Sequence, residues 1–244
     1  GGGCIAFVRC SIVHQDTALP SVDVHPKLIK TGGMVVNKHS QMLQRVYAAK
    51  TDAELASAYS DWAGQYDRDL LQEGYILPFF VPAFVARYLK SGDGPILDAG
   101  VGTGLTGPYL QALGYTGLSG MDMSDEMLAM ARGRGCYSDL KNAKLGETLP
   151  WPDDHFAAFI SAGVFTTGHA PASSLDELVR ITRPGGFAIF NIRQSVFEDN
   201  GFAEKLAEQQ EQGLVRPVEV SPPFAGFAFD KEDILGFVHV LEIL

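Results

Sequence analysis

The stretch Pro95 to Gly107, Pro-Ile-Leu-Asp-Ala-Gly-Val-Gly-Thr-Gly-Leu-Thr-Gly, restricts this chain more than any other. A short apolar run, Ile96-Leu97, ends in an acid, Asp98. Ala99 follows, then glycines at Gly100, Gly102 and Gly104, then an apolar-periodic segment. That is the pattern of a buried strand turning tightly into a helix. Glycine has no Cβ, so it takes positive φ readily and lets a ligand approach the backbone. The helix start behind the turn offers N–H groups that have no partner within the helix. Such a turn is suited to touching something small.

Two ligand classes use it. A dinucleotide rests its pyrophosphate on the helix N-terminus, with G-x-G-x-x-G at the turn. Gly102-x-Gly104-x-x-Gly107 has that spacing, and Asp122 lies about 20 residues on. Against this stands Asp98 at the strand end, because a carboxylate there repels a pyrophosphate. An acid suits a ligand with a cationic amino acid end and no phosphate. Asp-x-Gly-x-Gly-x-Gly, as it stands from Asp98 to Gly104, resembles the first motif of the class I S-adenosylmethionine-dependent methyltransferases. The resemblance implies S-adenosylmethionine as cofactor. It places Asp98, Ala99, Gly100, Gly102 and Gly104 at the cofactor's amino acid end.

Composition narrows the partners. The net charge over 244 residues is -10, which disfavours binding polyanions through a general basic surface. A small-molecule acceptor is the expectation, with no general nucleic-acid binding. No apolar run approaches the roughly 18 residues of a membrane span. The first residues, Gly1 to Val13, lack the basic start of a secretory signal. Cys4, Cys10 and Cys136 show no metal-type spacing and read as reduced thiols, so a cytoplasmic protein without a metal site is expected.

In chain order, residues 1–36 show no sustained period and are expected to be poorly ordered, with Met34 as a possible natural start. Residues 37–92 read as a helical cap, with helices over 37–50, 52–71 and 79–89. Thr51-Asp52 supplies the cap of the second. Tyr59, Trp62, Tyr66 and Leu70 recur on one face of it at spacings of three and four. Residues 93–244 read as the ligand-binding domain, a doubly wound α/β sheet. A second strand, 118–121, ends in Asp122. Ligands in such sheets sit at the carboxyl ends of the strands, where an acid can accept hydrogen bonds from two ribose hydroxyls. Met123, next along, can lie against an adenine face. Strands are also expected from residue 135, at 156–161, at 187–192, and as a closing antiparallel pair at 214–220 and 237–244. The Arg183-Pro184-Gly185-Gly186 segment reads as a turn. Ser161 closes the fourth strand, and the loop beyond it is where a methyl acceptor belongs. His169, on that loop, is the candidate catalytic residue. His155, beside Asp153 and Asp154, precedes its strand and so falls at the wrong end of the sheet.

The methyltransferase resemblance covers Pro95 to Ile192. It implies a helical lid over the cofactor, to which Tyr66 or Tyr75 supplies a hydroxyl for the carboxylate. Many such enzymes carry an acid shortly before Leu-Pro that reads the adenine amino group. Here the matching places before Leu149-Pro150 hold Lys144 and Leu145, which leaves backbone near Leu145 and Gly146, or Glu147, for that contact. Tyr66-Asp67, Gly74-Tyr75, Lys144-Leu145-Gly146 and Arg183-Pro184-Gly185-Gly186 further resemble the methyltransferase-like family of the Williams–Beuren syndrome chromosome region. That family implies seven strands, mostly parallel with one antiparallel, and helices on both faces. It names no acceptor. The rival functions are a nicotinamide-dependent oxidoreductase and a non-catalytic cofactor-binding partner subunit.

Overall fold

The computed structural model describes residues 48–49, 51–168, 170–228 and 235–244. The expectations for residues 1–36, for nearly all of the helix at 37–50 and for His169 lie outside the described residues.

Helix α1 (Asp52–Gln72) starts where the sequence offers a cap: Thr51 Oγ1 accepts the Glu54 N–H at 3.2 Å. Helix α2 (Leu77–Tyr88) has Pro78 in its first turn, where a missing N–H costs no internal bond. Strand β1 (Ile96–Ala99) then enters the glycine turn and α3 (Gly107–Ala112). The chain continues through β2 (Leu118–Asp122), α4 (Asp125–Gly133) and β3 (Tyr137–Asn142). Next come β4 (Phe156–Phe165), α5 (Ser174–Arg180) and β5 (Thr182–Arg193). The last elements are α6 (Gln194–Asp199), α7 (Phe202–Glu211), β6 (Val215–Val220), β7 (Phe224–Ala225) and β8 (Leu235–Ile243).

The sheet runs β3-β2-β1-β4-β5-β8-β6. The first five strands are mutually parallel, and β8 is antiparallel to both its neighbours, β5 and β6. The doubly wound expectation is met, with eight strands among the described residues instead of seven. The extra one is β7, two residues pairing with Gly236 and Leu235 where the connection from β6 crosses the start of β8.

Alternate residues of each central strand serve opposite cores. Leu97, Phe159, Ala188 and Phe190 join Leu175 and Leu178 of α5 and Leu206 of α7. Ile96, Ala158, Ile160 and Ile189 join Val81, Phe84 and Val85 of α2 and Leu110 of α3. This two-sided burial explains the near-continuous apolar runs of β4 and β5.

Two local expectations are corrected. Arg183-Pro184-Gly185-Gly186 lies within β5, as a bulge: Phe156 faces Thr182, but Ala158 faces Phe187. Gly185 has φ 75, and a Cβ on Gly186 would stand 2.6 Å from the Ala157 carbonyl oxygen, so only glycines allow the segment to hug β4. Strand β3 extends to Asn142, its edge position hidden in the sequence by polar residues such as Asp139 and Lys141.

Phe159 is fully buried at the centre of the sheet. Phe159→Ala should destabilise the fold by about 3–5 kcal/mol, read as a lower urea midpoint at constant slope.

Candidate active site

The order β2-β1-β4 makes the space between β1 and β4 the topological switch point, where crossovers leave in opposite directions and open a crevice. A cavity of about 310 Å³ occupies the carboxyl ends of these strands. Gly100 and Gly102 line it from the turn after β1; Met121, Asp122 and Met123 line it from the end of β2. The loop after β3 contributes Lys144, Leu145, Gly146 and Glu147; the end of β4 and the loop beyond it contribute Ala162, Gly163, Val164, Ala170 and Pro171. Met127 of α4 and Tyr59 and Tyr66 of α1 complete the wall.

Asp122 holds this architecture by its carboxylate. One oxygen accepts the Gly102 N–H at 2.9 Å and the other the Ser124 N–H at 3.0 Å. The first bond pins the glycine turn; the second pins the cap of α4, whose Ser124 hydroxyl accepts the Met127 N–H at 3.2 Å. Each carboxylate oxygen keeps capacity for a further hydrogen bond. Burial raises the Asp122 carboxyl above its ordinary range, and the backbone N–H groups of Ser124, Gly102 and Met123 pull it back.

Asp98 is placed differently from Asp122. It is only 2% exposed and lies beneath the turn, off the cavity wall. The Tyr137 hydroxyl donates to it at 2.7 Å. The Tyr137 ring fills the space that the turn's glycines leave: a Cβ on Gly104 would stand 3.0 Å from its Cε2, and one on Gly107 2.7 Å. Burial is the main cause pushing the Asp98 carboxyl up to about 7; the Tyr137 hydrogen bond opposes it and the Asp122 charge adds to it.

Of the other candidates, Tyr66, Gly100, Gly102, Met123, Leu145 and Gly146 reach the cavity wall. Ala99 and Gly104 support the turn from behind it, Gly104 backing onto Ala131 at 3.0 Å from its would-be Cβ. Ser161 is fully buried and donates at 2.8 Å to the Ala99 carbonyl, stitching β4 to β1. Tyr75 sets its hydroxyl against cavity-lining Gly163 and its ring 4.9 Å from that of Phe227, behind the wall. His169 lies outside the described residues, between Gly168 and wall residue Ala170. Residue reading missed Tyr59, because a tyrosine at helical spacing looks like core. It also missed Ala162, Gly163 and Val164, whose types carry no signal. Among the described residues no group of three or more His, Cys, Asp or Glu is arranged to hold a metal, and no helix is long and apolar enough to cross a membrane.

Comparison with known proteins agrees with this geometry. Residues 97–190 match the methyltransferase domain family. An uncharacterized methyltransferase of Bacillus subtilis, YodH, is 35% identical over 114 residues, 45% of this chain and 48% of that protein. A phosphatidylethanolamine N-methyltransferase of Cereibacter sphaeroides is 32% identical over 108 residues, 41% of this chain and 51% of the other. The match thus spans about half the length of these curated relatives. A TehB-like SAM-dependent methyltransferase from Corynebacterium glutamicum shares the fold with a TM-score of 0.58 at 21% identity, covering 77% of this chain and 100% of that one.

A raised carboxyl value means that the folded state holds the proton more tightly than the unfolded chain. The stability contributed by protonated Asp98 is therefore complete below about pH 4 and lost as pH climbs through about 7. Asp98→Asn keeps an acceptor for Tyr137 but cannot ionise. By calorimetry, its Tm relative to the wild type should be higher near about pH 8 than near about pH 4.5; a pH-independent difference contradicts this placement. Residues 97–190 are thus similar to the methyltransferase domain family, and the solved methyltransferase structure shares the fold.

Proposed function

We propose that this protein transfers a methyl group from S-adenosylmethionine to a small-molecule acceptor. The observation that carries the reading is Asp122: an acid at a strand's carboxyl end, with both oxygens anchored by backbone, facing the switch-point cavity. The cofactor is S-adenosylmethionine, and the residues present suit it. Asp122 has acceptor capacity for the two ribose hydroxyls. Met123 and Leu145 supply apolar surface for the adenine, and backbone at Leu145 and Gly146 supplies its polar edge contacts. Gly100, Gly102 and the Tyr66 hydroxyl take the amino acid end. Asp98 supports that end from beneath the turn, since it is off the wall and already paired with Tyr137. The Asp122 carboxylate beside the turn disfavours a diphosphate, which weighs against the nicotinamide reading.

The cofactor supplies an already activated methyl on a sulfonium. The chain's work is alignment and exclusion of water. Val164 packs over the turn so closely that a Cβ on Gly100 would overlap its Cγ2, which fixes the β1 and β4 exits against each other. We place the acceptor between these exits and Tyr59 and Tyr66 of α1, which acts as the lid. His169 is proposed as the acceptor-side base, needed when the nucleophile arrives protonated. A cytoplasmic setting and membership of the Williams–Beuren-type family are part of the same proposal, supported by the sequence motifs.

Asp122→Ala removes both the ribose contact and the side-chain anchor of Gly102 in the turn. It should weaken S-adenosylhomocysteine binding at least about a hundredfold by titration calorimetry. In thermal-shift assays S-adenosylhomocysteine should raise the wild-type Tm while NAD should not; the opposite pattern would favour the oxidoreductase. Transfer of labelled methyl to members of an acceptor collection separates an enzyme from a cofactor-binding partner subunit.

A further inference from the structure

Asp67 follows cavity-lining Tyr66 on α1, and its two carboxylate oxygens have different partners. Oδ1 accepts the Thr103 hydroxyl at 2.5 Å. Oδ2 accepts the guanidinium of Arg134, the residue that caps the C-terminus of α4. The Arg134 Nε donates in turn at 2.6 Å to the Thr103 carbonyl. A closed ring of three residues thus joins α1, the middle of Gly102-Thr103-Gly104 and the end of α4. Thr103 is 2% exposed, and the side chains of Arg134 and Asp67 are 23% and 28% exposed. Neither charged residue lines the cavity. Contact with a ligand therefore does not account for the ring.

Other residues of α1 pack by apolar contact. Ala58, Trp62 and Leu70 pack in an apolar cluster with Tyr75 and Leu77. Apolar packing is non-directional and tolerates sliding. A charge-assisted hydrogen bond is short and directional, and a planar guanidinium that reaches both a carboxylate and a carbonyl fixes orientation as well as distance. The ring is a directional part of the attachment of α1, and it acts on the same three-residue turn that Asp122 pins from β2.

We propose that this ring is a clasp that holds α1 closed over the bound cofactor, with Asp67 a positioning residue that sets the cofactor's residence time. This rests on the functional reading above. A ligand held against Tyr59 and Tyr66 is released more readily when α1 lifts, and lifting breaks both Asp67 bonds together. Entry occurs before the clasp closes. The clasp therefore acts on dissociation more than on association, as most affinity changes within one site do.

The test is stopped-flow binding and release of S-adenosylhomocysteine by wild type, Asp67→Asn, Arg134→Gln, the double variant and Thr103→Val, with amide hydrogen exchange of residues 52–72 in the ligand-free proteins. Trp62, whose ring is 4.8 Å from that of Tyr66, is an internal fluorescence reporter. Asp67→Asn and Arg134→Gln should each release the ligand about tenfold faster, with association changed less than about threefold. The double variant should be little worse than either single one, since both break one ring. Exchange across α1 should quicken without ligand. Thr103→Val removes a single hydroxyl from a site that keeps its volume, and should show a smaller rise in release if the charge variants fold poorly. Wild-type binding with unchanged release and exchange in the variants overturns the clasp alone. No binding by the wild type overturns the cofactor assignment and the clasp with it.

Discussion

One carboxylate holds the ligand side of this molecule together. Asp122 ends β2, yet its two hydrogen bonds reach the turn after β1 and the start of α4. Without it the glycine turn keeps only the Gly100 and Val101 N–H bonds to the Met121 carbonyl on the β2 side, among the described residues, and the cap of α4 loses a partner. The same residue lines the cavity. One side chain thus both braces the turn and lines the cavity, and the burial that raises the Asp122 carboxyl is opposed in part by the backbone donors.

A second carboxyl, one strand over, shows the opposite arrangement. Among the described residues Asp98 has one donor, the Tyr137 hydroxyl, and it is enclosed. Tyr137 has three jobs at once. It begins β3, it fills the space under Gly104 and Gly107, and it satisfies Asp98. The turn is thus supported from below by an aromatic ring and from the side by Asp122. The protein holds two acids within reach of one turn in different states of hydration, a common device for dividing electrostatic work between similar groups.

Much of the sheet was legible in the residues. The strand–turn–helix at Pro95 to Gly107, the acid at the end of β2 and the apolar runs of β4 and β5 follow from local pattern, because strands covered on both faces must be apolar along their whole length. The bulge in β5 was not legible. Pro-Gly-Gly has turn chemistry, and only the neighbouring strand decides that it pairs instead. The wall residues Ala162, Gly163 and Val164 were not legible either, since they serve by position and not by chemistry. Tyr75 and Ser161 had suitable chemistry, but packing set them behind the wall, where they support it.

By itself the amino-acid order determined the doubly wound class, the end of the sheet at which the cavity lies and the two acids at the carboxyl ends of β1 and β2. Those properties depend on periodicity and on glycine's backbone freedom, which act over a few residues. Tertiary structure alone decided which acid faces the cavity, that Tyr137 underlies the turn, and that Asp67, Thr103 and Arg134 close a ring across 67 positions of chain between Asp67 and Arg134. Such contacts depend on how separate elements are brought together in space, and no local spacing encodes that.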